Sequence, residues 1–250
     1  MCCFSGKVVS VKNTRIFARM VEQGKQAVIY SMSLNSKQDV AMVLPLPVAA
    51  GNGEDAVKFF NLEKYPKLFD DLEKGFPRPE AAGKSNALGV VPSKSAPLTV
   101  VSVGAFDASY VPSIADFSRL DARFALPPQV WDKLPGYKAF GFAVFKLKAG
   151  NTTVHPMAFT FPSAMPEKIF FPTVHIHDGE VHKEAGFDHT LYAQTHDEQK
   201  SIRNWEESPG VAMQFTKVEK AHDMIRPNQH VYRRNMIGNF KNEDVLLAAV

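Results

Sequence analysis

Gln26-Ala-Val-Ile-Tyr-Ser-Met-Ser-Leu34 decides the fold class. Val28, Tyr30, Met32 and Leu34 recur at every second position, the period of a strand with one face turned to a core. Residues 14–21 read as its partner strand across Glu22-Gln-Gly-Lys25. A third strand is expected over 39–45, stopped by Pro45 and Pro47, because proline cannot donate to a ladder. The first 48 residues therefore read as an antiparallel meander.

Working outward, strands keep the upper hand. Leu98–Val103, Thr152–Phe161, Phe187–Gln194 and His230–Arg234 carry strand patterns. The near-continuous apolar run Tyr137–Leu147 fits a central strand buried on both faces. Helical signals are short. They cover 54–60, 65–74 (Pro66 in the first turn, Gly75 as the stop), 112–120, 128–134, 201–208 and 218–224. The fold class is α+β, mostly β, with antiparallel sheets packed as a sandwich or distorted barrel and several short helices. Residues 1–250 read as one globular domain. The Pro-, Gly-, Ala-, Ser- and Lys-rich stretch 76–97 is either a long surface loop or a boundary.

Composition removes several function classes. The chain of 250 residues has 29 basic and 26 acidic residues, a net charge of +3, too mild to point to nucleic acid or an anionic membrane. No apolar run has the length of a membrane span, and no secretory signal opens the chain. The two cysteines, Cys2 and Cys3, are neighbours, so a bond between them would be strained and would close no useful loop. That pattern favours a reducing compartment, and a cytoplasmic location is expected. No P-loop, dinucleotide-binding glycine pattern, Gly-x-Ser-x-Gly or His-Glu-x-x-His occurs.

The functional signal is Pro172-Thr-Val-His-Ile-His-Asp-Gly-Glu-Val-His182. Asp178-Gly179 suits a two-residue hairpin turn. A hairpin centred there pairs His177 with Glu180 and His175 with His182, placing all four on one face. Three imidazoles and a carboxylate suit a divalent transition metal such as zinc, iron, copper, nickel or manganese. Six of the eight histidines fall between His155 and His196. His155 and His189 lie on apolar strand faces nearby, as further ligands or as hydrogen-bonding support. Expected roles are His175, His177 and His182 as ligands and Glu180 as fourth ligand or general base, in a metal-dependent enzyme acting on a small-molecule substrate. The competing reading is an apolar hairpin face over the core with a solvated His/Glu face.

A second candidate is Cys2, whose thiol would sit beside a free α-amine once Met1 is removed. Met-Cys at the start, a strand, and Arg19 in Ile-Phe-Ala-Arg-Met resemble N-terminal-nucleophile hydrolases with a cysteine nucleophile, over about twenty residues. The resemblance implies a hydrolase or acyl transferase with Cys2 as nucleophile. His175-Ile-His177 is similar to the start of the cupin signature. His182 stands where that signature has its glutamate and Glu180 is too close, so the likeness is one of ligand logic. The third reading is a non-enzymatic metal- or ligand-binding module.

Overall fold

The computed structural model describes residues 2–77, 101–104, 106–121, 125–126, 128–176, 180–195 and 202–248. The strands, in chain order, are β1 Cys2–Phe4, β2 Ser10–Met20, β3 Lys25–Ser36, β4 Val40–Leu46, β5 Lys58–Asn61, β6 Val101–Val103, β7 Phe106–Val111, β8 Gly141–Leu147, β9 Gly150–Thr153, β10 Met157–Pro162, β11 Lys168–Phe171, β12 His175–Ile176, β13 Glu184–Gln194, β14 Glu206–Val211, β15 His230–Lys241 and β16 Val245–Ala248. The α-helices are α1 Leu68–Lys74 and α2 Pro128–Asp132. The expected class holds: the protein is mostly β, with short helices and mixed, largely antiparallel sheets.

Two large sheets carry the architecture. One runs β12-β1-β4-β8-β7-β6, the other β14-β15-β13-β2-β3-β10-β5 with β9 also on β3. β11 and β16 form a separate antiparallel pair. Two contacts are parallel, β1 with β12 and β13 with β2.

The alternation that flags β3 is used on both of its faces. Ile16, Ala18, Val28 and Tyr30 enter the core between the two sheets, with Met42, Leu44, Phe142 and Phe145 opposite. Phe17, Ala27 and Ile29 enter a second core on the other face, covered by Leu68, Phe69 and Leu72 of α1. Burying each large apolar side chain of this kind contributes roughly 1.5–3 kcal/mol. The eight-stranded sheet is thus a middle layer, which explains why α1, only 7 residues long, persists: packing and not propensity holds it.

Four local expectations need correcting. The meander breaks after β3, because β4 leaves to pair with β1 and β8 in the other sheet. Pro45 does not end β4. It pairs with Phe142 of β8, while β1 reaches only Met42 and Val43, so its missing N–H lies where no second neighbour needs it. Residues 58–60, expected to be helical, form β5 instead. Phe59 packs edge-on against Phe145 in the inter-sheet core, while Phe60 turns to the second core. Likewise 206–208 are strand, because Pro209 and Gly210 disfavour a helix and Glu206 pairs with Arg233 of β15.

Candidate functional site

The hairpin expected over 172–182 does not form as read. His177, Asp178 and Gly179 lie outside the described residues. On its near side, β12 pairs in parallel with β1, with Cys2 opposite His175 and Cys3 opposite Ile176. On its far side, 180–183 is not strand. The two arms are joined through Asn242. Its Oδ1 accepts from His175 N (2.7 Å), and its Nδ2 donates to His175 O (2.9 Å) and His182 O (3.0 Å). One amide side chain thus supplies the bonds that cross-strand pairing was expected to make.

The histidines separate accordingly. His175 reaches His189 of β13, with Nε2 to Nε2 at 3.2 Å. Phe187 stacks on both rings, at 4.4 and 5.0 Å between centroids. His189 is fully buried, while His182 is exposed. Glu180 is exposed and ion-paired to Lys133. His155 sits elsewhere, stacked on Phe106 at 4.7 Å and pressed against Gly104 in the β6–β7 turn. Burial pulls the His155 imidazole below its ordinary range, opposed by bonds to backbone oxygens and by the charge of Glu63. Of the expected ligands, the fold joins His175 and His189. Among the described residues no three His, Cys, Asp or Glu side chains form a group that could hold a metal.

Cys2 enters β1, and its backbone is the register partner of His175. Cys3 is buried and in no disulfide. Nearby, Asp244 is enclosed by donors: Thr173 N (2.8 Å) and Val174 N (3.1 Å) to Oδ1, and the Tyr137 hydroxyl (2.5 Å) to Oδ2. Desolvation raises the Asp244 carboxyl above its usual range against the pull of these bonds. Burial and the negative charge of Asp244 drive the Tyr137 phenol strongly upward.

Two arginines are buried against partners that the sequence does not announce. Arg19 donates to the carbonyls of Met224 (2.7 Å), Met20 (3.1 Å) and Asp223. Burial, with Arg226 nearby, brings its guanidinium down to about 10. Arg233 binds Glu73 and Glu206 and lies over the ring of Phe76, 4.4 Å from its centroid. The alternation of β15 separates Arg233 from Arg234, but nothing in the order of residues announces partners 160 positions away.

No protein-family model and no curated sequence matches the chain at a significant level. The fold does find relatives among solved structures. It resembles that of baculovirus P35. The crystal structure of that protein aligns with 98% of this chain and 100% of its own, at a TM-score of 0.52 and 13% identity. A mutated baculovirus P35 after caspase cleavage aligns with 96% of this chain and 100% of its own, at a TM-score of 0.52 and 12% identity. These likenesses establish a shared fold.

That fold corrects the functional expectation. An enzyme acting on a small molecule, through a histidine metal site or through Cys2, gives way on two findings. The ligand set is dispersed: Glu180 is committed to Lys133, His182 is at the surface and His155 belongs to another hairpin. The matched architecture is that of baculovirus P35, a protein solved in a mutated form after cleavage by a caspase. The metal-binding reading of the clustered histidines falls with it. Among the described residues no helix is long and apolar enough to cross a membrane.

Proposed function

We propose that this chain is a non-catalytic protein that binds a cysteine protease, presenting residues 78–100 to it. The observation that carries the proposal is the fold likeness to P35 along nearly the whole chain, including the form cut by a caspase. Two features support the placement. Pro77 follows α1, which packs on the second core, and Val101 opens β6 at the end of the other sheet. The intervening sequence is poor in large apolar residues and contains Arg78, Glu80, Lys84 and Lys94 but no aspartate. The protease class is therefore proposed without its cleavage preference. A cytoplasmic location goes with this reading, since Cys3 is buried outside any disulfide, as suits a reducing compartment.

The test is an activity titration. Cysteine proteases that cut after Asp, after Lys or Arg, and after small apolar residues are each mixed with increasing protein. The expected result is loss of activity of at least one at near-stoichiometric protein. A variant in which 80–97 is replaced by a short Gly-Ser linker is expected to leave that activity intact. Full activity of every protease at a large excess of folded protein overturns the proposal.

A further inference from the structure

The eight-stranded sheet is open, and part of one margin is bare. β14 pairs with β15 only at Glu206–Arg233, Glu207–Tyr232 and Val211–His230. Beyond Arg233, β15 keeps β13 on one side as far as Lys241, and among the described residues no strand pairs with its other side. The chain before β14 does not continue along that side: 203–205 is not strand, and Trp205 packs on Phe171. The backbone groups of this margin point outward. Val231 N donates to Ser208 Oγ (2.9 Å) and Gln229 O accepts from Ala212 N (2.9 Å), both on the β14 side. Asn242 N, past the far end of β15, donates to Lys183 O (2.9 Å) beside β13. Backbone direction alternates along a strand, so the N–H and C=O groups of Asn235, Ile237 and Asn239 face away from β13.

A bare edge is a template for another strand, and proteins blunt such edges with charge, proline or a break in register. β14 carries Glu206, Glu207, Pro209 and a register shift, and β5 at the opposite margin is only 4 residues long and starts with Lys58. Asn235-Met-Ile-Gly-Asn-Phe240 has no charge, no proline and no shift against β13, and Ile237 is 75% exposed. The stretch also complements itself. Antiparallel pairing about a two-fold axis at Ile237 sets Ile237 opposite Ile237 of a second copy, and Asn235 opposite Asn239, in hydrogen-bonded pairs. Met236 then meets Gly238, where nothing lies within 4 Å of a Cβ position. Lys241 of the second copy arrives at Arg233, beside Glu206 at the start of β14, which brings an exposed ammonium to an exposed carboxylate. We propose that β15 is a homodimerisation edge: residues 235–239 of two copies pair antiparallel about Ile237 and join their eight-stranded sheets. The dimer is independent of the protease function.

The experiment is sedimentation equilibrium of the full chain beside its variants. The wild type is expected to rise toward twice the chain mass as protein goes from low to high micromolar. Ile237→Lys sets two ammonium groups opposite each other at the axis. The Ile237 side chain is exposed, so the variant is expected to keep its melting temperature and to stay at the mass of one chain at every concentration. Ile237→Cys is expected to crosslink to itself under mild oxidation, because opposed residues of a hydrogen-bonded pair lie about 5.5 Å apart at Cα, within disulfide reach. The wild type, with Cys2 and Cys3, and Val9→Cys, at a 55% exposed position off the edge, are the controls and are expected to give no comparable crosslink. A wild type that stays at the mass of one chain throughout overturns the proposal and leaves the edge to an extended strand of another protein. A dimer that persists unweakened in Ile237→Lys, or that Ile237→Cys does not crosslink above the controls, overturns it as well, because the contact then lies elsewhere.

Discussion

Gly104→Ala is a quantitative test of how the β6–β7 turn is packed. Gly104 follows β6 and has φ +64. An alanine in that left-handed region costs about 1–2 kcal/mol. The added Cβ would also stand 2.6 Å from His155 Nε2, 3.0 Å from Glu63 Cβ and 3.1 Å from Glu63 Oε2. The imidazole has to move, which disturbs its stack on Phe106 at about 0.5–1.5 kcal/mol, and crowding adds about 1 kcal/mol more. The expected loss is about 2.5–4.5 kcal/mol in urea unfolding at pH 7.5. Gly51→Ala supplies the internal control, because Gly51 has φ +82 but nothing within 4 Å of its Cβ position, so only the conformational cost of about 1–2 kcal/mol applies. In a His155→Ala background the cost of Gly104→Ala is expected to drop toward the Gly51 value. Equal costs for the two glycines, or a Gly104→Ala cost indifferent to His155→Ala, refute the reasoning.

Three further outcomes follow from the same contacts. Asn242→Ala removes three hydrogen bonds joining β12 to the 182 segment and is expected to cost about 2–4 kcal/mol, with faster amide exchange at His175; an effect below about 0.5 kcal/mol counts against the bridge. Asp244→Asn keeps an oxygen for Thr173 N and Val174 N and offers an amide to the Tyr137 oxygen, so its melting temperature at pH 7 is expected within a few degrees of wild type, whereas Asp244→Ala orphans both N–H groups and lowers stability by about 2–4 kcal/mol. For His155, burial lowers the folded affinity for a proton below the ordinary 6.5. The unfolded chain then binds more protons just below pH 6.5, so stability is present above that pH and is lost as pH falls toward the folded value; His155→Phe is expected to flatten this part of the stability–pH curve measured by urea titration.

The strand content was legible because it rests on a local period. The Val28-to-Leu34 alternation, the apolar run of β8 and the turn at Glu22-Gln-Gly-Lys25 each declare themselves within a few residues. The short helices at 114–119 and 128–132 and the α1 stop at Gly75 are local as well. What stayed hidden was pairing at long range. Asp178-Gly179 promised a hairpin, yet β12 is claimed by β1, more than 170 positions earlier, and by the side chain of Asn242. β4 reads as the next strand of a meander but finds more apolar partners in the opposite sheet. Arg19 and Arg233 look like ordinary surface arginines until the loops and the helix that close over them are in place. The stretch 76–97 reads from its composition as a long surface loop or a boundary, and all of it after Pro77 lies outside the described residues.

The central claim is that a protease is the partner and 78–100 the element it meets. Intact-mass analysis of the protein after incubation with the inhibited protease tests it most directly. The account predicts one cut within 78–100, at most about one equivalent per protease, with both fragments remaining in one folded particle. Cuts outside 78–100, or turnover of many equivalents by a fully active protease, would contradict it.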